Sequence, residues 1–495
     1  MGTPAEPGAS VIFDDAAAAA LTAEHAWRDL HPFVAGSAPR DARAERFAQA
    51  LDALAGALEA RRADILRISA DETALLEAEL APEFARMTGT LRMFAGVVRA
   101  GTWRRAAHDP PASPPALAVG PNFDLRSELV PLGPVAVFGA SNFPLAYGVC
   151  GGDTASALAA GCPVVIKEHP AHPRTGRLIA RIAGAAVETA GLPGGVFGYV
   201  LHENPSDFSV AERLVRHPAI RAVGFTGSER GGMALDRLAR ERTDAHGRPD
   251  PIPVFAEMGS ANPVFITPGA MATSADAIAD MLASSILLRH GQQCTCPGLV
   301  FVVDDAASDV FMARLRERFA AAPGREMLTP WIAHHYHEGI SAIEDAERVH
   351  LEHVPTGMNP PRVSSAMLWS TTLEEYSAHH RLHGEVFGPS VVVVRLADWG
   401  AQADAPLRGS LTLSVFADAD DPADLGRARD LAARHAHGAG RIILNGVPTG
   451  VRACEAMVHG GPFPATNRPD TTAVGPRAME RWCRPVCWQN WPEAL

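Results

Sequence analysis

The stretch GPVAVFGASNFPLAYGVCGGDTASALAAGCPVVIK, residues 133–167, predicts how this chain folds. Its two ends are short apolar runs typical of buried strands, and an alanine-rich run typical of a helix lies between them. The alternation continues through GVFGYVL and AIRAVGFTGS, each followed by a helical stretch. Strands that alternate with helices form a parallel sheet covered on both faces. We therefore predict an α/β fold with a doubly wound sheet that binds ligands at the carboxyl ends of its strands.

The regions on either side extend this α/β prediction. Residues 14–100 are rich in Ala, Leu, Glu and Arg, with apolar residues at helical spacing. From about 116, short runs separated by Gly and Pro favour strands and hairpins. A second α/β region begins near 257, whereas residues 320–383 have the weakest pattern. The last segment, ERWCRPVCWQNWPEAL, is too apolar for a free tail, so we expect it to pack against this chain or another subunit.

Composition excludes several classes of protein. The chain has 495 residues, 47% of them hydrophobic and 20% charged, and a formal net charge of −12. These values suit a large soluble protein and argue against nucleic acid as a partner. We see no secretory signal and no apolar run long enough to span a bilayer, so no membrane partner is expected. Seven scattered cysteines favour reduced thiols and a cytoplasmic location.

The stretch RHGQQCTCPG, residues 289–298, holds two cysteines separated by one residue. A closed zinc site needs four ligands, and no partner motif supplies them, because HHYH at 334–337 is typical of a polar helix face. We therefore predict no metal. Gly291 favours a helix end, which leaves Cys294 in a turn between a helix and a strand. A thiol in such a turn can act as a nucleophile, and a buried structural cysteine is the alternative.

Three further stretches contain candidate polar groups. Asn142 follows a predicted buried strand, where its amide can cap a helix or donate to a developing oxyanion. VGFTGSERGG, residues 223–232, runs from a strand into a helix start that favours phosphate, although an ordinary capped turn has the same pattern. Glu257 follows an apolar run, where desolvation would raise its pKa toward that of a general base, unless it is a surface residue.

Together these stretches resemble the aldehyde dehydrogenase superfamily. The motifs that carry the resemblance occur in the family's order: S-N-F-P at 141–144, V-V-I-K at 164–167, F-T-G-S with a following Gly at 225–232, E-M-G at 257–259, G-Q-x-C at 291–294 and E-V-F-G-P at 385–389. The chain is most similar to the NADP-using bacterial branch that acts on α-ketoglutaric semialdehyde (2,5-dioxovalerate) and on long-chain aldehydes. NGVPTGVRACEAMVHGGPFPAT and the ending RPVCWQN also look like that branch.

The resemblance implies a role for each candidate catalytic residue. Cys294 would be the nucleophile that forms a thiohemiacetal and then a thioester, with Cys296 as a bystander. The Asn142 amide and the Cys294 N–H would hold the oxyanion. Glu257 would activate the water that releases the carboxylic acid.

The resemblance also implies a nicotinamide cofactor. The residues expected to hold it are Lys167 at the adenosine ribose, Gly227, Ser228 and Gly232 at the pyrophosphate, Glu385 at the nicotinamide ribose and Phe387 beside the ring. NAD-specific relatives often carry a Glu three residues after the lysine, where this chain has Pro170. Glu168 would repel a 2′-phosphate and Arg174 would attract it. We expect NADP, with NAD as the alternative.

The substrate tunnel is expected to be lined by Phe143, Ala146, Cys150 and Gln293. Arg86 falls on a helix expected at the tunnel mouth, where a guanidinium can pair with a carboxylate, and a surface ion pair is the alternative. The predicted substrate is a polar or carboxylated aldehyde such as α-ketoglutaric semialdehyde. A broad aliphatic aldehyde dehydrogenase, a cofactor-independent cysteine esterase and a non-catalytic oligomeric protein are the alternatives.

The resemblance implies a three-part α/β architecture. Residues 1–115 and 132–256, with 453–477, are predicted to bind the nucleotide, and residues 257–452 to form the catalytic domain. A β-hairpin within 116–131 and the C-terminal residues 478–495 would form an oligomerisation arm. A homodimer or homotetramer is expected.

Overall fold

The structure is a computed structural model that describes residues 11–31, 40–111, 122–202, 207–346, 348–353 and 362–491. The helices in these ranges are α1 (Ala16–Leu30), α2 (Arg40–Ala60), α3 (Arg62–Glu72), α4 (Glu77–Ala100), α5 (Gly152–Ala159), α6 (Pro173–Thr189), α7 (Ser209–Arg216), α8 (Glu229–Arg240), α9 (Pro268–Leu287), α10 (Ala306–Ala320), α11 (Pro330–Glu344), α12 (Leu373–Ala378) and α13 (Pro422–Arg434). The strands are β1 (Ile12–Phe13), β2 (Ala107–Asp109), β3 (Leu125–Pro131), β4 (Val135–Phe138), β5 (Val164–Lys167), β6 (Phe197–Val200), β7 (Ala222–Thr226), β8 (Val254–Glu257), β9 (Val264–Ile266), β10 (Leu299–Val303), β11 (Arg325–Glu326), β12 (His350–His353), β13 (Val363–Ser364), β14 (Met367–Thr372), β15 (Ser390–Leu396), β16 (Ser410–Phe416), β17 (Ala439–Leu444) and β18 (Cys483–Gln489).

The first sheet is parallel and doubly wound, as predicted. Its order is β1-β6-β5-β4-β7-β8, and every neighbouring pair is parallel. The chain builds outward from β4 through β5 to β6 and then returns to place β7 on the other side of β4. The order therefore reverses between β4 and β7, which is where open α/β sheets bind ligands. Asn142 follows β4, and Gly227 and Ser228 follow β7.

A second α/β sheet has the order β12-β14-β15-β10-β9-β16-β17. All of its pairs are parallel except β12 with β14. β9 and β10 are joined through α9 and the turn that holds Cys294. The second sheet therefore presents that turn just before the amino end of β10, whereas the first sheet presents its site at carboxyl ends.

A third, antiparallel sheet has the order β18-β3-β2. β3 pairs with β2 on one side and with the C-terminal β18 on the other. The predicted hairpin over 116–131 therefore differs from the structure in its partners, because β3 pairs with strands at 107–109 and 483–489; residues 116–121 lie outside the described residues. Trp482, just before β18, is buried in the chain's own core, and its Nε1 donates to Ser156 Oγ at 2.8 Å.

The segment Pro268–Gly291 is, among the described residues, long and apolar enough to cross a membrane by length and composition. The prediction that no run meets that criterion is therefore wrong. In the fold, Ile278, Leu282 and Ile286 of α9 are buried with Phe311 of α10 and Val300 of β10. These contacts bury one face of α9 against α10 and the second sheet.

Candidate active site

The turn that carries Cys294 is held by main-chain contacts. α9 ends at Leu287, a short 3-10 turn covers Leu288–Gly291, and Gly291 has a φ of +67°. A Cβ on Gly291 would lie 2.2 Å from the carbonyl carbon of Gly388, so only glycine allows the E-V-F-G-P segment to pack this closely. Asn262 Nδ2 donates to the carbonyls of Cys294 and Cys296 at 2.8 and 2.9 Å. The half-buried thiol of Cys294 is thus fixed where it can be reached.

The two cysteines face different surroundings. Cys296 is buried, and its Sγ lies 3.8 Å from the carbonyl oxygen of Ile286. Burial raises the pKa of the Cys296 thiol strongly, and the charges of Glu385 and Cys294 add to this rise. A thiol held neutral in the core is inert, so the geometry favours Cys294 as the reactive one.

Cys294, His459 and Glu257 form a continuous chain of polar contacts. Cys294 Sγ lies 3.6 Å from His459 Nε2, and His459 Nδ1 lies 3.1 Å from Glu257 Oε2. His459 and Glu257 are both about nine-tenths buried, with 7% and 6% of their surface exposed. Burial opposes a charge on the ring, but the charge and hydrogen bond of Cys294 and the hydrogen bond of Glu257 raise the pKa of His459 well above its usual value. His459 can therefore hold a proton beside the sulfur at neutral pH.

His459 was not anticipated among the site residues, although it lies in the quoted AMVHGG stretch. The segment that carries it folds back over β8: Met258 N donates to the Ala465 carbonyl at 2.8 Å, and Glu257 forms a bridge with Thr466. A polar residue between Val458 and two glycines was the available signal. Its partner lies 165 positions away, which no local pattern reveals.

Asn142 lies in the loop after β4 and reaches the catalytic turn. Its Nδ2 donates to the Gln292 carbonyl at 3.1 Å, while the second hydrogen of the amide is available to a ligand. Asn142 is 8% exposed. The three residues predicted to be catalytic, Cys294, Glu257 and Asn142, are therefore brought to one site by three separate segments.

The residues predicted to line a tunnel differ in accessibility. Phe143 is half-buried, whereas Ala146 and Gln293 are each 5% exposed and Cys150 has no exposed surface. Gln293 Nε2 donates to the Leu288 carbonyl at 2.9 Å, so this amide stabilises the turn. Cys150 is packed in the main core, and a side chain without accessible surface cannot line an open tunnel.

Arg86 is half-buried on α4, and its contacts point toward the catalytic residues. It donates to the Val451 carbonyl at 2.9 Å and to the Tyr147 hydroxyl at 3.0 Å. The centroid of the Tyr147 ring lies 6.4 Å from that of His459. One aromatic ring therefore separates this guanidinium from the imidazole that contacts Cys294.

The residues predicted to bind a cofactor lie at the ends of the first sheet's strands. Ser228 caps α8 by accepting from Gly231 N at 3.2 Å, and together with the exposed Gly227 it leaves the start of α8 open to an anion. Gly232, one turn further on, is buried. Lys167, at the end of β5, is half-buried, and its Nζ lies 2.7 Å from His202 Nδ1. Burial lowers the pKa of Lys167 to about 8, with the charge of Glu168 opposing this shift.

Glu168 and Arg174 have partners within the protein. Glu168 is fully buried and accepts from Arg177 Nε and Nη2 at 2.6 and 2.9 Å. The Arg174 side chain lies 3.5 Å from a Glu72 oxygen. The expected repulsion by Glu168 is therefore compensated by Arg177, and the expected attraction by Arg174 is shared with Glu72.

Glu385 and Phe387 approach the site from the second sheet. A Cβ on Gly259 would lie 2.2 Å from Glu385 Oε2, which shows how closely this carboxylate packs on the E-M-G segment. Close packing raises the pKa of the Glu385 carboxyl and the Ser260 N–H opposes this rise, while the residue remains exposed to solvent. Phe387 is half-buried against the core. These groups suit a nicotinamide nucleotide, because the Glu385 carboxyl can bind ribose hydroxyls and Phe387 offers an apolar face to the ring.

Among the residues that the structure describes, no group of three or more His, Cys, Asp or Glu is placed to hold a metal ion. His334, His335 and His337 lie exposed on α11, while Tyr336 faces inward. The prediction that this motif is a polar helix face is confirmed.

Comparison with known proteins defines the class to which this fold and site belong. Residues 8–404 match the model of the aldehyde dehydrogenase family. The chain therefore belongs to that family, and it is an oxidoreductase that converts an aldehyde to a carboxylic acid with NAD(P)+.

Particular relatives have more specific names. The chain is 43% identical to alpha-ketoglutaric semialdehyde dehydrogenase 2 of Azospirillum brasilense, over 90% of this chain and 82% of that one. It is 38% identical to alpha-ketoglutaric semialdehyde dehydrogenase of Acinetobacter baylyi, with the same shares covered. Methylmalonate-semialdehyde dehydrogenase of Oceanimonas doudoroffii has a similar fold, with a TM-score of 0.74 at 20% identity over 96% of this chain and 90% of that one.

Proposed function

We propose that this enzyme oxidises a carboxylated aldehyde of the α-ketoglutaric semialdehyde type, with NADP as the preferred cofactor. The observation that carries the substrate proposal is Arg86, whose guanidinium lies one aromatic ring away from the His459 that contacts Cys294. A guanidinium has five N–H donors, and contacts to Tyr147 and Val451 use only part of them. The remaining donors can pair with a carboxylate at the far end of a short substrate. The names of the two relatives support the same substrate.

The chemistry begins with proton transfer from Cys294 to His459. The thiolate attacks the aldehyde carbon, and the oxyanion that forms accepts hydrogen bonds from the free Asn142 N–H and the Cys294 backbone N–H. When bound, NAD(P)+ would supply the acceptor for the hydride of this carbon. The product is a thioester on Cys294. Glu257 then takes a proton from water, which attacks the thioester and releases the acid, and the sulfur regains its proton from His459.

NADP is proposed because the negative charge of Glu168, which would repel the 2′-phosphate, is compensated. Arg177 pairs with Glu168 through two hydrogen bonds, and Lys167 is directed to the carboxyl ends of β5 and β6 by His202. Pro170 adds no carboxylate. In this proposal Lys167, Ser228 and Glu385 bind the adenosine ribose, the pyrophosphate and the nicotinamide ribose.

The domain assignment and oligomeric state are proposed on the basis of the sheets. We assign the first sheet to the nucleotide, the second to the catalytic turn and the third to an oligomerisation arm. β17 is an edge strand of the second sheet, and Ile442 and Leu444 on it are 38% and 55% exposed. Such an edge favours pairing with another chain, so we propose a dimer or a tetramer made of dimers. Leu444→Lys should lower the mass measured by sedimentation; an unchanged mass would contradict this interface.

Substitution of Arg86 tests the substrate proposal. A charge-assisted hydrogen bond contributes about 1.5–3 kcal/mol, so Arg86→Met should raise KM for α-ketoglutaric semialdehyde by about 10–100-fold. KM for hexanal should stay within about two-fold, because hexanal has no carboxylate. Arg86→Lys should recover part of the loss, since an ammonium keeps the positive charge but lacks the paired N–H donors of a guanidinium.

The matched control is Arg92→Met, because Arg92 is an exposed residue of the same helix and pairs with Glu59. It should leave both KM values unchanged. Equal effects of Arg86→Met on the acidic and the neutral aldehyde would contradict the proposal. A wild-type preference for hexanal would identify a broad aliphatic aldehyde dehydrogenase.

A further inference from the structure

A buried ion pair beside the catalytic residues joins three segments of the chain. Arg289 Nη2 donates to Glu83 Oε2 at 2.9 Å, and the two side chains are 6% and 2% exposed. Glu83 belongs to α4, three residues before Arg86, whereas Arg289 lies in the turn that leads to Cys294. The pair takes no part in the chemistry described above. Two charges removed from water need specific compensation, so their contacts show what the pair holds.

Both members of the pair contact the loop that carries Asn142. Arg289 Nη2 donates to the Asn142 carbonyl at 2.7 Å, and its guanidinium carbon lies 4.3 Å from the centroid of the Phe143 ring. Glu83 Oε1 accepts from the backbone N–H groups of Leu145 and Ala146 at 2.7 and 3.0 Å. The loop after β4 is thus bound at its start by the arginine and at its end by the glutamate.

The same loop reaches back to the catalytic turn. Asn142 Nδ2 donates to the carbonyl of Gln292, two residues before Cys294. Arg289 therefore holds the main chain of Asn142, while the Asn142 side chain holds the main chain of the turn. These two hydrogen bonds run in opposite directions between the same segments, and together they set the position of the amide relative to the sulfur.

The backbone at Arg289 is itself in an unfavourable conformation. Arg289 and His290 have φ values of +52° and +55°, ahead of Gly291 at +67°. A residue with a Cβ adopts this left-handed region only when its surroundings impose it. The contacts of Arg289 to Glu83, Asn142 and Phe143 supply that constraint. Loss of the guanidinium should therefore let the turn relax and move the oxyanion donor.

We propose that Arg289 and Glu83 are positioning residues, which hold the Asn142 amide at the place where the oxyanion forms over Cys294. This inference rests on the proposed function, because it takes Asn142 as an oxyanion donor and Cys294 as the nucleophile. Neither Arg289 nor Glu83 touches the substrate. They act through Asn142, and their effect appears in the chemical step.

The test compares two reactions of the same sulfur in Arg289→Met. The single-turnover rate of hydride transfer should fall by about 10–100-fold. Misplacing the oxyanion donor can slow the chemical step by as much as removing that donor altogether. Alkylation of Cys294 by iodoacetamide forms no oxyanion, so its rate should stay within about two-fold. KM for the aldehyde should change little. A general loss of structure would instead lower both rates together.

A double-mutant cycle with Asn142→Ala provides the second readout. If Arg289 acts through the amide, adding Arg289→Met to Asn142→Ala should cost less than about three-fold. Multiplicative losses would overturn the proposal, and so would an equal loss of alkylation. Glu83→Gln, which keeps the shape of the side chain, should show the same pattern in smaller measure and replaces Arg289→Met if that variant does not fold.

Arg325→Met is the matched control, because Arg325 pairs with Glu79 on the same helix at 2.9 Å. It should leave the hydride-transfer rate unchanged. Cys294→Ala separates failure of the proposed function from failure of the positioning role. Oxidation that survives Cys294→Ala contradicts the proposed function. If Cys294 is essential but the losses of Arg289→Met and Asn142→Ala are multiplicative, only the positioning role is overturned.

Discussion

Replacement of His459 by Asn should slow attack on the aldehyde in a manner that depends on pH. In the structure His459 Nε2 faces the sulfur at 3.6 Å and Nδ1 faces Glu257 at 3.1 Å. An Asn amide can keep the contact with Glu257. It is too short to reach the Cys294 sulfur, and it cannot accept a proton as His459 Nε2 can. The substitution therefore removes the proton acceptor of Cys294 while changing the surroundings of Glu257 as little as possible.

The magnitude follows from the ionisation of a thiol without a basic partner. An ordinary cysteine thiol with a pKa of about 8.5 is only about 3% ionised at pH 7. The raised pKa of His459 means that its ring can keep the transferred proton at that pH. Without this ring, the fraction of attacking thiolate should fall by up to about 30-fold at pH 7 and about two-fold at pH 8.5.

The sign of the pH dependence follows from the same values. Protonated His459 stabilises the thiolate at low and neutral pH, and this contribution is lost as the pH rises through the raised pKa of the ring. An ordinary thiol ionises over the same range, so the deficit of the variant should shrink with increasing pH. The assay is the pre-steady-state burst of reduced nicotinamide between pH 6.5 and 9.5, together with the rate of iodoacetamide alkylation.

A matched control is His31→Asn, since His31 is also an enclosed imidazole, and its ring lies against the Gly161 carbonyl and the Trp27 ring rather than against the catalytic residues. It should leave the burst unchanged at every pH. A deficit of His459→Asn that is constant across the pH range, or that grows with pH, would refute a proton-accepting role for His459.

The remaining predictions concern the cofactor and the catalytic turn. Deprotonation of Lys167 above its pKa of about 8 removes a positive charge, so the Kd for NADP, measured by fluorescence titration, should rise between pH 7 and pH 9 more than that for NAD. Lys167→Met should abolish this difference, and a pH dependence that persists in the variant would exclude Lys167 as its origin. Asn262→Ala removes the donor to the carbonyls of Cys294 and Cys296 and should lower the free energy of unfolding by about 2–4 kcal/mol in urea denaturation. A loss below about 0.5 kcal/mol would show that water replaces the amide.

The sequence predicts the fold because its strands are buried on both faces. VAVF and VVIK become β4 and β5, and every residue except Lys167 is buried, so apolar runs and glycine boundaries are sufficient to locate them. The turn at Cys294 was predictable for a similar reason, since Gly291 interrupts an apolar helix. The resemblance of G-Q-x-C at 291–294 to the family motif then indicated that Cys294 is the nucleophile.

Long-range pairing was not predictable from the same patterns. His459 becomes a partner of Cys294 only because the segment after β17 folds back along β8. Arg289 resembles a surface arginine in the sequence, yet it is buried because Glu83 on a distant helix compensates its charge. Glu168 was expected to face a phosphate, and the structure instead pairs it with Arg177 on α6. Each case depends on which charges meet, and a local sequence pattern does not contain that information.

The proposed oxidation through Cys294 is tested most directly by the formation of reduced nicotinamide from α-ketoglutaric semialdehyde by the wild-type enzyme and by Cys294→Ala. Hexanal should be offered in parallel, each aldehyde with NADP and with NAD, and the acid product should be quantified. We expect one acid per reduced nicotinamide, a higher kcat/KM for the acidic aldehyde with NADP, and no turnover by Cys294→Ala. Turnover that survives the loss of Cys294, or an acid that forms without reduction of the cofactor, would contradict the proposed oxidation.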